Sequence, residues 1–199
     1  MLAVVDYGAG NMNSVRKAFA FLGTKTVVAR CPEELAGVDR IVLPGVGAFG
    51  RAAERLRALG FDRALRDWAA AQKPLLGICL GLQLFFESSE ESPRTEGLGL
   101  LPGTCRRLQA RKVPQVGWNT VRPVKSHPLF EGRASEEHYY FVHGFAAAPG
   151  DAGDVLALTD YEGDFCSAAG RGRTVGVQFH PEKSGRAGLE LLRNWMEQC

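Results

Sequence analysis

A chain of 199 residues with 45% hydrophobic content can bury one substantial core, and residues 1–199 are read as one domain. Charged residues make up 23% of it and the formal net charge is only +2, which favours neither an acidic disordered tail nor a basic nucleic-acid binder, and nothing in the charge balance points to a polyanion partner. Cys31, Cys79, Cys105, Cys166 and Cys199 are scattered, with no CxxC pair and no Cys/His cluster at zinc spacing, so neither disulfides nor a metal site is expected. The first residues lack a basic n-region and their apolar run is cut at Asp6. No apolar stretch approaches the roughly 20 residues that span a bilayer. The expectation is a reduced, cytoplasmic enzyme with no membrane segment and no cofactor.

In chain order, LAVV at 2–5 reads as a buried strand, and Val15, Ala18, Phe19 and Leu22 then fall at helical spacing. KTVVA at 25–29 and RIVL at 40–43 give two more strands. Phe49, Ala53, Leu56 and Leu59 line one face of a helix that Gly60 closes. Leu65, Trp68 and Ala69 mark a further helix, ending before Lys73-Pro74 because a proline disfavours helical geometry in the residue ahead of it. PLLGI at 74–78 is a fourth buried strand, and LQLFFE at 82–87 reads as the helix after it. From about residue 97 the pattern changes to strand-like runs punctuated by Gly and Pro: VPQVGWNTV, HYYFVHGF, VLALTDY and TVGVQFH. A last helix from Ser184, a plausible N-cap, carries Leu189, Leu192, Trp195, Met196 and Cys199 on one side. The fold class this predicts is α/β, a mostly parallel central sheet flanked by helices with mixed or antiparallel strands in the C-terminal half.

The strongest chemical signal is GICLG at 77–81, where a buried strand must turn sharply into a helix. It has the G-x-nucleophile-x-G form of a nucleophile elbow. Side chains two positions either side of Cys79 would collide, which gives Gly77 and Gly81 a steric reason to be there. The helix start favours a thiolate over a thiol. The bland alternative is a buried cysteine in a tight turn.

A thiolate needs a base, and among His127, His138, His143 and His180 only the last has a carboxylate built in beside it, in QFHPEKS. Pro181 holds His180 extended, and side chains two apart on an extended chain point the same way, so Glu182 can reach the imidazole. Alone, His-x-Glu is a common surface pairing; after a cysteine elbow it completes a Cys79, His180, Glu182 triad. PGVG at 44–47 can aim a backbone N–H at the oxygen of a tetrahedral intermediate, with the Leu80 N–H as second donor. A plain turn and a phosphate site are its other readings. His138 and His143, five apart on a strand, face opposite ways and form no metal pair. Arg106, Arg107, Arg111, Lys112, Arg122 and Lys125 around Trp118 read as a solvated or partner-facing surface.

With these strings in hand, the sequence resembles the class I (triad) glutamine amidotransferases over nearly its whole length: GICLGLQ, PGVG and HPEKS occur in that family's order. DYGAGN at 6–11, VGWN at 116–119 and YFVHGF at 140–145 narrow the resemblance to the glutaminase subunits of imidazole glycerol phosphate synthases, from histidine biosynthesis. The resemblance implies that Cys79 attacks the carboxamide carbon of glutamine, that His180 takes and returns the proton, and that water then cleaves a glutamyl thioester. It implies substrate contacts from Gly47, Gln83, Glu91 and Gly144, and a peptide at Val46 that reorients to swing its N–H into the oxyanion hole. It departs from the family pattern at Gly144 and Phe145, where a hydroxyl residue and a tyrosine are expected. The implied partner is a (β/α)8-barrel cyclase subunit that uses the ammonia to release imidazole glycerol phosphate and a purine precursor. Asn11, Trp118, Tyr140 and Lys183 match positions expected to face it. Competing expectations are a glutaminase of another pathway, a catalytically idle scaffold, and a stand-alone cysteine hydrolase.

Overall fold

Runs of Val, Ile and Leu with no polar face are strands meant to be covered on both sides, and the computed structural model, which describes residues 1–8 and 10–199, builds its sheet from them. Ala9, within the DYGAGN string, lies outside the described residues. The first half runs β1 (Leu2–Val5), α1 (Met12–Phe21), β2 (Thr26–Ala29), β3 (Arg40–Gly45), α2 (Phe49–Ala58), α3 (Phe61–Ala70), β4 (Leu75–Cys79) and α4 (Leu80–Gln83). The second half runs β5 (Ser88–Ser89), β6 (Gly103–Arg107), β7 (Gln115–Pro123), β8 (Glu137–His143), β9 (Phe145–Pro149), β10 (Val155–Asp160), β11 (Asp164–Arg171), β12 (Thr174–Val177) and α5 (Gly185–Gln198).

The main path of the sheet is β2-β1-β3-β4-β12-β11-β10-β7-β8. The first five strands of that path are parallel, and from β12 to β11 onward the pairing is antiparallel. β9 leaves the path, joining β11 and β6, and β6 joins β5.

Alternate residues of each parallel strand feed opposite layers. Leu2, Val4, Val42, Leu76 and Ile78 pack with Phe19 of α1 and Leu192 and Trp195 of α5. Ala3, Val5, Ile41, Leu43 and Leu75 pack with Leu56 of α2 and Leu65 and Trp68 of α3. Each large side chain buried this way contributes about 1.5–3 kcal/mol relative to exposure. Among the described residues no helix is long and apolar enough to cross a membrane.

The predicted fold class matches, and so do the four strands and three helices read in the first half. Three local readings change. The helix expected over LQLFFE stops at Gln83, because the N–H groups that would carry it on turn elsewhere: Phe85 and Phe86 donate to the carbonyls three residues back, of Leu82 and Gln83, and Glu87 donates to Gly103 O at 3.2 Å, while Leu98 to Leu101 take the carbonyls of Leu84, Phe85 and Phe86. Ser184 occupies the N-cap position of α5 without capping it. Its hydroxyl donates to His180 O at 2.6 Å and accepts from Tyr140 N–H at 3.0 Å, so it pins the HPE turn to β8. Strands β6, β9 and β11 were not singled out in sequence; β11 (DFCSAAGR) is built largely from small residues without a β signature.

Candidate active site

Parallel strands deliver their C-terminal ends to one edge of a sheet, the usual seat of chemistry in α/β folds. Here Gly45 of β3 pairs with Cys79 of β4, and Ile78 of β4 pairs with Val177 of β12. Register alone therefore brings the PGVG loop, the elbow and the HPE turn together. Cys79 sits at φ 56° and ψ −109°, a sparsely populated region for a residue with a Cβ. A Cβ on Gly77 would lie 2.7 Å from the Gly81 and Leu82 backbone, and one on Gly81 would overlap the Leu43 carbonyl of β3, so the elbow closes only with glycine at both places. Cys79 is nearly buried. Its sulfur lies 3.9 Å from Val142 O and 3.6 Å from Gln178 Nε2.

His180 Nδ1 stands 2.8 Å from Glu182 Oε1, with both side chains almost inaccessible at 2% and 1% exposure. The carboxylate can only accept, so Nδ1 carries the hydrogen and Nε2 is the nitrogen left for the sulfur. Nε2 is buried without a hydrogen bond of ordinary geometry to any described residue, a resting looseness that a catalytic pair tightens with substrate. Burial pushes the His180 imidazole down, but the neighbouring Cys79 and Glu182 more than offset it and hold it up to about 9. The His180 backbone is fixed independently, its N–H donating to Tyr140 O at 2.8 Å.

A cavity of about 350 Å³ opens over the sulfur, lined by Val46, Gly47, Cys79, Leu80, Gln83, Glu91, Val142, His143, Gly144, Phe145 and Lys183. It thus gathers the four residues expected to meet substrate and both expected oxyanion donors. Glu91 accepts the Phe49 N–H at 2.8 Å, which orients the carboxylate against the start of α2. Gln83 Nε2 donates to Phe145 O at 2.8 Å and to Gln178 Oε1 at 3.1 Å, leaving its carboxamide oxygen as the atom available to a ligand. The Gly144 carbonyl accepts the Leu108 N–H at 3.0 Å, which fixes this stretch of the cavity wall.

Of the residues expected to face a partner, Trp118 and Tyr140 meet edge to face with centroids 6.3 Å apart, and Lys183 Nζ lies 5.7 Å from the Tyr140 ring centroid. Val46, Val116 and Trp118 are exposed apolar side chains at or near this cluster. Asn11 lies at the start of α1 next to Gly10, which packs against Pro44 of the PGVG loop, and α1 touches the turn that carries Lys183. Among the basic residues grouped in sequence around Trp118, Arg111 pairs with Glu162 and Arg122 with Asp164, as a solvated surface does.

Two side chains at the site were passed over in sequence. His143 is buried, with Nδ1 2.9 Å from Phe145 O and Nε2 2.9 Å from the Gln115 carboxamide; burial first of all drives its imidazole down to about 4. Gln178 is fully buried against the sulfur. The spacing that led from His180 forward to Glu182 leads equally back two residues to Gln178.

A cysteine elbow, a buried His-Glu pair and a pocket edged by backbone N–H groups form the equipment of an α/β protein that takes an acyl group from an amide. The family model for glutamine amidotransferase class-I matches residues 3–199. The imidazole glycerol phosphate synthase subunit HisH of Symbiobacterium thermophilum is 47% identical over 195 residues, covering 98% of this chain and 92% of that protein. The subunit of the same name from Sulfurimonas denitrificans is 47% identical over 201 residues, covering 98% and 97%. The structure of PurLQS from Thermotoga maritima shares the fold with a TM-score of 0.81 at 19% identity, over 98% of this chain and 96% of that one. The chain belongs to the class I glutamine amidotransferase family, in company with the HisH subunits.

Proposed function

We propose that this chain is the glutaminase subunit of an imidazole glycerol phosphate synthase, working in the cytoplasm with a (β/α)8-barrel cyclase subunit. The observation that carries the reading is the strained Cys79 elbow set beside a His180–Glu182 pair 2.8 Å apart. Identity of 47% to HisH proteins over 98% of the chain supports the pathway.

In this reading His180 Nε2 removes the Cys79 thiol proton, and the sulfur attacks the side-chain carbonyl carbon of glutamine. Glu182 holds the tautomer and stabilises the imidazolium. The oxyanion is met by the N–H of Leu80, which opens α4 and has no intrahelical partner, and by the N–H of Val46 once that peptide has turned. His180 passes its proton to the departing nitrogen, ammonia leaves, and water cleaves the glutamyl thioester to glutamate. Glu91 supplies charge for the substrate ammonium. The ammonia passes to the cyclase, which releases imidazole glycerol phosphate and AICAR. Trp118, Tyr140, Lys183 and Asn11 form the docking face, and the apolar rim at Val46 and Val116 suits burial in a complex.

Glutamate release, measured for the chain alone and with a barrel cyclase and its nucleotide ligand, tests chemistry and coupling together. Activity that needs the cyclase and vanishes in Cys79→Ala is expected. Full turnover without a partner, or persistent turnover in Cys79→Ala, rejects the proposal.

A further inference from the structure

Two buried carboxamides connect the sulfur to the loop that edges the cavity, and one backbone oxygen fixes the direction of both. The Phe145 carbonyl oxygen can only accept. It lies 2.8 Å from Gln83 Nε2 and 2.9 Å from His143 Nδ1, so both nitrogens present hydrogen to it. The second hydrogen of Gln83 Nε2 is directed at Gln178 Oε1, 3.1 Å away. Gln178 must then turn its own NH2 the other way, where Nε2 stands 3.6 Å from Cys79 Sγ. An orientation that a carboxamide ordinarily leaves ambiguous is settled by contacts that end on an atom unable to donate. Gln178 is fully buried and Gln83 nearly so. A reversed Gln178 amide would set N–H against N–H and oxygen against sulfur where neither can be solvated.

We infer that Gln178 acts directly on the nucleophile beside His180: its N–H donates to Cys79 Sγ and holds the sulfur as a thiolate, while Gln83 is a positioning residue that aims it. The inference rests on the reading of Cys79 as the attacking group. A hydrogen bond made to the charged form of a group favours that form, so the donor raises the thiolate fraction before attack. The same N–H serves the second half of the reaction. When water opens the thioester, its oxygen bonds to the acyl carbon and its proton goes to His180. The C–S pair returns to sulfur, where the Gln178 N–H meets the restored charge.

The pH profile of Cys79 alkylation by iodoacetamide in the purified chain, read on the Cys79 peptide by mass spectrometry, tests the inference without glutamine. Gln178→Met keeps the bulk and removes the donor; Gln178→Glu keeps the shape and puts an acceptor against sulfur; Gln83→Met leaves Gln178 unaimed. The alkylation midpoint is expected to rise by about one unit in Gln178→Met, further in Gln178→Glu and less in Gln83→Met. With the cyclase, kcat for glutamine should fall about tenfold in Gln178→Met while KM stays within about twofold, the pattern of a group that acts on the chemical step. If one Gln178 variant does not fold, the other carries the test. Midpoints within about 0.2 unit of the parent in folded Gln178 variants overturn the assignment, whatever the glutaminase rate does. Shifted midpoints in a chain whose parent complex releases no glutamate would instead sink the proposed function and leave the Gln178 contact standing.

Discussion

Cys79 occupies a backbone conformation that a residue with a Cβ adopts only at a cost of about 1–3 kcal/mol, and the sheet on both sides of β4 holds it there. The usual order of alanine above glycine should therefore reverse at this position. In urea unfolding, Cys79→Gly is expected to be more stable than Cys79→Ala by about 1 kcal/mol, with both devoid of glutaminase activity. Equal stabilities, or the ordinary order, would show that the elbow stores no strain. The two site histidines pull stability in opposite directions with pH. His143 is held down at about 4, below its unfolded value, so what it contributes is present above about 6.5 and is lost as pH falls toward 4. His180 is held up at about 9, so its contribution is complete below about 6.5 and fades as pH rises through 9. His143→Gln should flatten the acid limb of a pH–stability profile and leave the alkaline limb in place. An unchanged acid limb would mean that His143 is not the neutral, buried ring described above.

Between elements, α5 comes into close approach with the HPE turn. A Cβ at Gly188 would overlap the Pro181 carbonyl, so Gly188→Ala must push the helix off the turn that carries His180 and Glu182. We expect a loss of about 2 kcal/mol in chemical denaturation, and a drop in kcat larger than any change in KM. Activity and stability both at parental level would show that the turn yields freely. The strands and helices around this contact were largely readable in sequence, for a physical reason. Apolar runs such as LAVV and PLLGI are covered on both faces, and Val15, Phe19, Leu56 and Leu65 keep helical spacing, so local pattern and tertiary burial agree. Where tertiary contacts overrule the local pattern, the reading fails. LQLFFE has helical composition, yet segment 97–101 captures its carbonyls; Ser184 looks like a cap, yet its hydroxyl is drawn to His180 O and Tyr140 N–H. The Cys, His and Glu of the site were legible because an elbow and an HPE turn are local geometries. Gln178 and His143 were not, since their partners come from distant strands.

For the molecule as a whole, the cavity, the PGVG loop and the Trp118–Tyr140–Lys183 cluster open toward the same region, the face proposed to meet the cyclase. Trp118 is 58% exposed and supports little of the chain's own core. Trp118→Ala is expected to leave the unfolding midpoint of the isolated chain unchanged while weakening cyclase binding by about tenfold or more in titration calorimetry, as loss of an aromatic anchor does. Undiminished binding would move the docking face elsewhere. β12 occupies the middle of the sheet, between β4 and β11, and is the last strand in the chain. The acid–base half of the site hangs from its end, while the sulfur hangs from a strand made about a hundred residues earlier, a long-range pairing of the slow-forming kind. On the proposed mechanism, a ribosome-bound or partly folded chain therefore carries Cys79 with no histidine to arm it. Glutamine cannot be spent until the sheet has been filled from its centre.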